Sequence, residues 1–469
     1  MLSEVRISLL LCLLVAAAVF PLSAQNGDDA SLWLTTADRS SLLTAQAPLH
    51  FQKKDADLPA IVVDDKQRYQ QMDGFGFALT GGSAQLLMKM SQQRRSEVLH
   101  ELFGTAGEGI GVSYVRVSIG SSDMNDHAFT YDDLASGQTD ESLNSFSLGP
   151  DATTVVPVLK EILSINSSIK ILGSPWSAPA WMKTNAALKG GSLKPEYYVV
   201  YAQYFVTYLK AMAAQGIHLA AITVQNEPLN PNNTPSMVME AEDQAAFIRQ
   251  ALGPAFRKAG ISTNILVYDH NCDKPDYAMT ILNDADAAQY VDGSGFHLYG
   301  GEISALSQVH DAYPAKNLYF TEQMVVDKGV DSPLPVAHAV ARLIVGAPRN
   351  WSRNVLLWNL AADSKFGPHT GDGGCPVCEG AITVDGDKVT KNVAWYVVAH
   401  ASRFARPGSM RIESSEVAAL PNVAFLTPEG KRVLIVANPG HAAQTFQIQY
   451  AGKAVISTLS GEAVGTYVW

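Results

Sequence analysis

Eight short apolar runs, each ending in polar or glycine-rich residues, recur along the middle of the chain and limit its fold more than any other feature. They are "MDGFGFALT" around Gly76, "SYVRVSIG" around Val115, "IKILGSPW" around Leu172 and "LAAITVQNE" around Thr223, then "NILVYDHN" around Val267, "GSGFHLYGG" around Phe296, "NLYFTEQ" around Tyr319 and "NVLLWNLA" around Leu357. Most are nearly continuous in apolar residues instead of alternating, as strands covered on both faces of a parallel sheet are. Helix-compatible segments separate them, such as 197–216 and 241–260, the second closing on Lys258 and Gly260 as helix C-termini do. Eight such units predict an α/β chain with a (β/α)8 TIM barrel over 71–400. A doubly wound sheet is the second choice, since no glycine-rich phosphate fingerprint stands at the first turn.

Both ends of the chain read differently. "SLWLTTA" and "AIVVDDKQRYQQM", the latter with a turn expected at 64–67, lie in 30–70, and 405–469 holds "SMRIESS", "NVAFLTPEGKRVLIVAN", "TFQIQY", "KAVISTLSG" and "GTYVW". Short strands flanking a barrel at both ends are expected to pair into one β-sandwich beside it. Residues 1–24 read as a secretory signal, with Arg6, an apolar run from Ile7 to Phe20 and "PLSA" before Gln25, so the expected location is secreted or periplasmic. No comparable apolar stretch follows, so no membrane-integral segment is expected after cleavage.

The formal charge of −11, without a Lys/Arg cluster, argues against nucleic acid as a partner and fits a neutral substrate. Cys12 falls in the signal and Cys272 stands alone, while Cys375 and Cys378 form "CPVC". A zinc site needs a second ligand pair, which the sequence does not offer, so a small disulfide in a glycine-rich loop is the expectation. No metal and no cofactor are expected.

In a barrel of this type the C-terminal ends of the strands share one face, where chemistry sits. Glu227 ends the fourth run, just before Pro228, and Glu322 ends the seventh. Proline cannot continue a strand ladder, and the residue before it is driven to extended geometry, so a solvated strand end is the bland reading of Glu227. Two glutamates facing each other across a mouth are what retaining glycoside hydrolysis needs, and the anionic one is expected to raise its partner's pKa. Trp176, Trp181 and Trp358 offer flat faces for pyranose rings, and Asp123, Asn226 and Asn359 can bind hydroxyls. Arg116 could hold Glu322 ionised, and His297 and Tyr299 stand at the end of the sixth strand. A non-catalytic carbohydrate-binding barrel and a metal-dependent hydrolase are the alternatives from other classes; the second should lose activity to a chelator.

Taken together, "DGFGFALTGGSA", "SYVRVSIGSSDM", "GSPWSAPAWMKTN", "TVQNEP", "HLYGG", "YFTEQ" and "LLWNLA" resemble glycoside hydrolase family 30, the glucosylceramidase (acid β-glucosidase) family, from about Leu32 to the C-terminus. The resemblance implies retaining stereochemistry, no metal, Glu227 as acid/base and Glu322 as nucleophile. It implies contacts from Asp123 and Trp176 to the terminal glucosyl unit and from Asn226 to its 2-hydroxyl. It further implies that Arg116, His297, Tyr299 and Trp358 line the pocket, with Lys183 and Asn185 in support. Thr321 replaces the serine that precedes the nucleophile in the human-type pattern. The loop 365–380 and "LNPNNTPSM" would shape the leaving-group side. The implied substrates are a β-glucoside or glucosylceramide, with a β-1,6-glucan as the alternative and a β-xyloside after it.

Overall fold

The computed structural model describes residues 29–55, 57–326 and 335–469, so the signal expected at 1–24 lies outside the described residues. Eight parallel strands close into a barrel: Gly74–Leu79, Tyr114–Ser118, Lys170–Ser174, Ala221–Thr223, Asn264–Cys272, Val291–Gly301, Asn317–Glu322 and Ser352–Asn359. Each pairs with the next and the last with the first, and every one overlaps a run read from the sequence, within two residues at its ends where it extends beyond. The reason is visible in the packing. Tyr114, Leu172, Ala221, Leu266, Tyr319 and Leu356 fill the barrel interior, while neighbours such as Val115, Ile171, Ile222 and Val355 join the larger core outside it. Both faces of each strand are thus buried, which is why the runs lack alternation.

The helix Tyr198–Ala214 covers the barrel with a face built from Tyr201, Phe205, Tyr208 and Met212, the three- and four-residue spacing of an amphipathic helix. The second expected helix is Ala241–Ala259 in three pieces, with a wider π-type turn at Ile248–Leu252. Pro254 supplies no N–H and would clash with the carbonyl four residues back, so the helix widens just before it. Gly260 ends it in the left-handed conformation, φ 66°. Among the described residues, no helix is long and apolar enough to cross a membrane.

The end strands build a sandwich. The path runs Asp29–Thr35, Ala463–Val468, Arg432–Asn438, Asn422–Leu426, Met410–Ser414, Ala60–Gln71, Gln444–Tyr450 and Lys453–Leu459. Along Arg432–Asn438, Leu434 and Val436 join the sandwich interior while Val433, Ile435 and Ala437 join the barrel's core, so a period of two glues the sandwich to the barrel. The turn expected at 64–67 is absent as a chain reversal. Ala60–Gln71 is one strand, and its register against Met410–Ser414 jumps there from Arg68 opposite Ile412 to Asp64 opposite Glu413. Residues 60–62 pair with Gln444–Tyr450, and from Val63 on the strand pairs with Met410–Ser414 across the bulge.

After the eighth strand, the loop between Ala362 and Ile382 crosses the barrel mouth. Thr370 donates its N–H to the Asp123 carbonyl at 2.9 Å and its hydroxyl to the Thr234 carbonyl at 2.9 Å, and Asp372 pairs with Lys189. The approach is close: a Cβ at Gly373, φ 77°, would lie 2.4 Å from the Asn232 carbonyl. The loop carries the Cys375–Cys378 disulfide, and Cys272 is free and buried.

Candidate active site

The fourth strand ends at Thr223, and the four residues to Glu227 are held by side-on contacts in place of a ladder. Asn226 N–H donates to the Pro175 carbonyl and Glu227 N–H to the Asp269 carbonyl, at 2.8 and 3.0 Å, while Gln225 Nε2 donates to the Trp176 carbonyl at 2.7 Å. Glu227 itself has φ 43°, not the extended geometry that Pro228 would favour. A left-handed glutamate costs on the order of 1–3 kcal/mol, and the surrounding bonds hold it there with its carboxylate in the mouth. It is 8% exposed, so the solvated-strand-end reading fails.

Glu322 is the last residue of the seventh strand and 5% exposed. Arg116, fully buried on the second strand, donates Nη1 to Glu322 Oε2 at 2.5 Å and Nη2 to Asn226 Oδ1 at 2.7 Å and Asp269 Oδ2 at 2.8 Å. Tyr299 donates its hydroxyl to the other Glu322 oxygen at 2.9 Å. His297 Nδ1 lies 3.2 Å from Glu227 Oε1, and its Nε2 lies 3.1 Å from Asp269 Oδ1. Asn230 Nδ2 reaches Glu227 Oε2 at 2.8 Å. One carboxylate oxygen of Glu227, one of Glu322 and a His297 nitrogen all lie within 4.8 Å of one another.

That Glu–His–Glu cluster has the residue types of a metal site, but its donors are already in use. Both imidazole nitrogens face carboxylates, and Arg116 brings its positive charge directly onto Glu322. A cation placed there would meet the guanidinium. The arrangement fits protein donors better than an ion.

The electrostatics correct one expectation. Burial drives Glu227 up, but the hydrogen bond and charge of His297, with help from His270 and Asn230, outweigh it and hold the carboxyl down at about 2. Burial pushes Glu322 above the usual carboxylate value, against the pull of His297 and Arg116. Burial lowers His297, yet Glu322, Asp269 and Glu227 together raise it to about 9. Glu322 therefore does not keep Glu227 protonated. The proton sits on the imidazole, which the charge of Glu322 and the bonded carboxylates of Asp269 and Glu227 together hold cationic. Asp123 is buried, and that burial, with Glu322 and Glu227 adding, lifts it to about 8.

Glu227, Glu322, Asp123, Trp176, Asn226, Tyr299 and Trp358 share one cavity of about 410 Å³. Trp176 and Trp358 stand 5.5 Å apart with the Arg116 guanidinium behind both rings, at 4.9 and 5.8 Å. Arginine is donor-only, so the Asn226 oxygen must face it, which leaves Nδ2 for a ligand's hydroxyl. Arg116 and His297 lie behind the wall. One expected hydroxyl-binding residue and one expected platform are not among the residues that line this cavity: Asn359 gives its oxygen to the hydroxyls of Thr80 and Ser83, and Trp181 donates to the Asp132 carbonyl and meets Tyr197 edge-on. Lys183 is buried against Ser177 Oγ and the Leu188 and Ser236 carbonyls, tying together the loops after the third and fourth strands. Asn185 stays within its own loop, donating to the Lys189 carbonyl.

Sequence reasoning missed Asp269, His270, Asn271, Asn230, Asn233 and Met324. The signal was there in "VYDHN", three polar residues closing an apolar strand, and in the asparagines after Pro228. His270, Asn271, Asn230 and Asn233 line the cavity on the Glu227 side, and Met324 and the Cys375–Cys378 disulfide also line it.

The chain is 35% identical over 436 residues to the endo-1,6-β-D-glucanase of Aspergillus fumigatus, covering 87% of each chain. It is 28% identical to mouse lysosomal acid glucosylceramidase, covering 87% of this chain and 83% of that one. A solved endo-β1,6-glucanase superposes with a TM-score of 0.86 at 34% identity, over 94% of this chain and 99% of that one. Residues 72–405 match the glycosyl hydrolase family 30 TIM-barrel domain and 408–467 the glycosyl hydrolase family 30 beta sandwich domain, so the chain belongs to glycosyl hydrolase family 30.

Proposed function

We propose that this glycoside hydrolase is a secreted endo-β-1,6-glucanase that cleaves with retention, with Glu322 as nucleophile and Glu227 as acid/base. The observation that carries the reading is the approach of the two carboxylates to within 4.8 Å. Retaining pairs stand about 5–5.5 Å apart, whereas inverting pairs need roughly 6.5–9.5 Å to admit a water. Glu322, with a donor on each oxygen, attacks the anomeric carbon as the bond to the departing oxygen breaks and Glu227 gives that oxygen a proton. Water then transfers a proton to Glu227 as its oxygen bonds to the anomeric carbon and Glu322 is released. Filling the pocket takes water from around Glu227 and brings the substrate oxygen onto Oε2 in place of the Asn230 N–H. Both changes favour the neutral carboxyl, which receives its proton at the expense of the imidazolium.

The aglycone is the point at which glucan and glucosylceramide differ. The flank next to Glu227 is lined by Asn230, Asn233, His270 and Asn271, which match the hydroxyls of a leaving sugar better than a lipid. The higher identity to 1,6-glucanases points the same way. A panel of linear β-1,6-glucan, glucosylceramide, an aryl β-glucoside and an aryl β-xyloside tests it. Rapid shortening of the glucan to oligosaccharides with net retention by NMR is expected. Preferred turnover of glucosylceramide, or release of glucose alone from chain ends, would overturn the substrate reading.

A further inference from the structure

Asp269 takes no part in the two steps above, yet it is the most heavily bonded carboxylate near them. It is fully buried in the fifth barrel strand. Oδ2 accepts from Arg116 Nη2 at 2.8 Å and Thr223 Oγ1 at 2.7 Å, and Oδ1 from Thr321 Oγ1 at 2.6 Å, with His297 Nε2 at 3.1 Å. These partners come from the second, fourth, seventh and sixth strands, so the residue is tied to half the barrel.

The backbone is bent to place it there. Tyr268 and Asp269 have φ 70° and 62°, and the register against the sixth strand slips between Tyr268 opposite Gly295 and His270 opposite Phe296. A bulge thus leaves Asp269 out of the ladder and turns it inward. Two successive non-glycine residues in the left-handed region cost on the order of 1–3 kcal/mol each, and such strain clusters at working sites. The opposing strand makes room: a Cβ at Gly295 would stand 3.1 Å from Thr321 Oγ1 and 3.3 Å from Asp269 Oδ1. Thr321, which departs from the serine of the human-type pattern, spends its hydroxyl on Asp269 and not on Glu322.

We propose that Asp269 is the positioning residue that sets both glutamates at once, holding Arg116 against Glu322 with one oxygen and His297 against Glu227 with the other. The proposal rests on Glu227 and Glu322 being the reacting pair. Arg116 divides its fork between Glu322 and the Asn226–Asp269 side, so the Asp269 contact fixes the rotation of the guanidinium plane and with it the direction of Glu322. His297 has a carboxylate at each nitrogen and Glu322 4.0 Å from Nδ1, and their charges together make it cationic. Without Asp269 it would keep Glu227 and Glu322 but lose a directly bonded anion, and titrate lower. The charged groups facing Asp269 are Arg116 and His297, with Glu322 and Glu227 beyond them; Thr223 and Thr321 complete its shell without charge.

The test compares Asp269→Asn with wild type on linear β-1,6-glucan across pH. Asparagine keeps the shape and removes the charge. The expected result is kcat lower by about 100-fold, the scale of a misplaced reacting group, with KM within about threefold. The alkaline limb of kcat should also move to lower pH. A fall in melting temperature with kcat and both limbs unchanged overturns the proposal. If Asp269→Asn does not fold, Gly295→Ala decides, since its methyl presses on Asp269 Oδ1 without altering charge: a smaller change in the same direction supports the proposal, and unchanged kcat and limbs overturn it. Normal activity in Glu322→Gln would instead overturn the reading of the reacting pair.

Discussion

Nδ1 of His297 lies 3.2 Å from Oε1 of Glu227, and the two hold one proton between them. With His297 raised to about 9 and Glu227 lowered to about 2, that proton stays in the site from acid pH to about 9 and is lost above it. Activity on an unactivated glucan should therefore fall on the alkaline side near pH 9. It should fall on the acid side as Glu322, whose pKa is raised, takes up a proton. In His297→Asn the cation that depresses Glu227 is gone, so the carboxyl alone must hold the proton and the alkaline limb moves to lower pH. A kcat/KM profile of the two proteins checks it; superimposable alkaline limbs would show that His297 does not share the proton.

Because the pKa shifts of the two glutamates, Glu227 down and Glu322 up, run opposite to their proposed roles, the roles need a chemical test. Glu227→Ala and Glu322→Ala should each lose several orders of magnitude of kcat on the glucan. With azide and an aryl β-glucoside, the Glu227 variant still forms the glycosyl-enzyme, and azide displaces Glu322 to give the β-azide. The Glu322 variant lets azide attack directly and gives the α-azide. NMR of the products separates them, and an α-azide from the Glu227 variant would exchange the two assignments.

Tyr299 links Glu322 to the strand end, donating to Oε1 at 2.9 Å while accepting the Met324 N–H at 3.0 Å. Tyr299→Phe removes a hydrogen bond to a charged group, worth about 1.5–3 kcal/mol, so kcat should fall by roughly 10- to 150-fold. Loss of a donor to the carboxylate raises Glu322 further, so the acid limb should shift to higher pH. Steady-state kinetics at several pH values would expose an unshifted limb.

The barrel was legible because burial on both strand faces leaves continuous apolar runs, and eight of them survive any error in their ends. Glu227 and Glu322 were legible as strand-end acids. Asp269 was not: its role depends on a one-residue bulge, and a bulge leaves no periodic mark in "NILVYDHN". The same limit explains Asn359, which follows Trp358 on the eighth strand. Successive side chains point to opposite sides, so when Trp358 faces the cavity Asn359 turns toward Thr80 and Ser83. The sign of the charges could not be read either, since it depends on His297 standing among Glu227, Asp269 and Glu322, with its hydrogen bonds going to the first two.

The disulfide gives a last prediction, on binding. Cys378 is buried beside Ala78, Met124, Trp176 and Trp358, so the cystine forms part of the wall behind the sugar platforms. The loop has other anchors, Thr370 to Asp123 and Thr234, and Asp372 to Lys189, which do not depend on the bond. Replacing both Cys375 and Cys378 with Ser should therefore spare the fold, since closing so small a loop contributes about 2 kcal/mol at most on loop entropy. The wall against Trp358 loosens instead. KM for the glucan should rise severalfold with kcat within about twofold, because the side chains bonded to Glu227 and Glu322, His297, Asn230, Arg116 and Tyr299, lie outside the loop. An unchanged KM, with melting temperature lowered, would confine the disulfide to stability, and a matching fall in kcat would mean that the loop also orders the two glutamates.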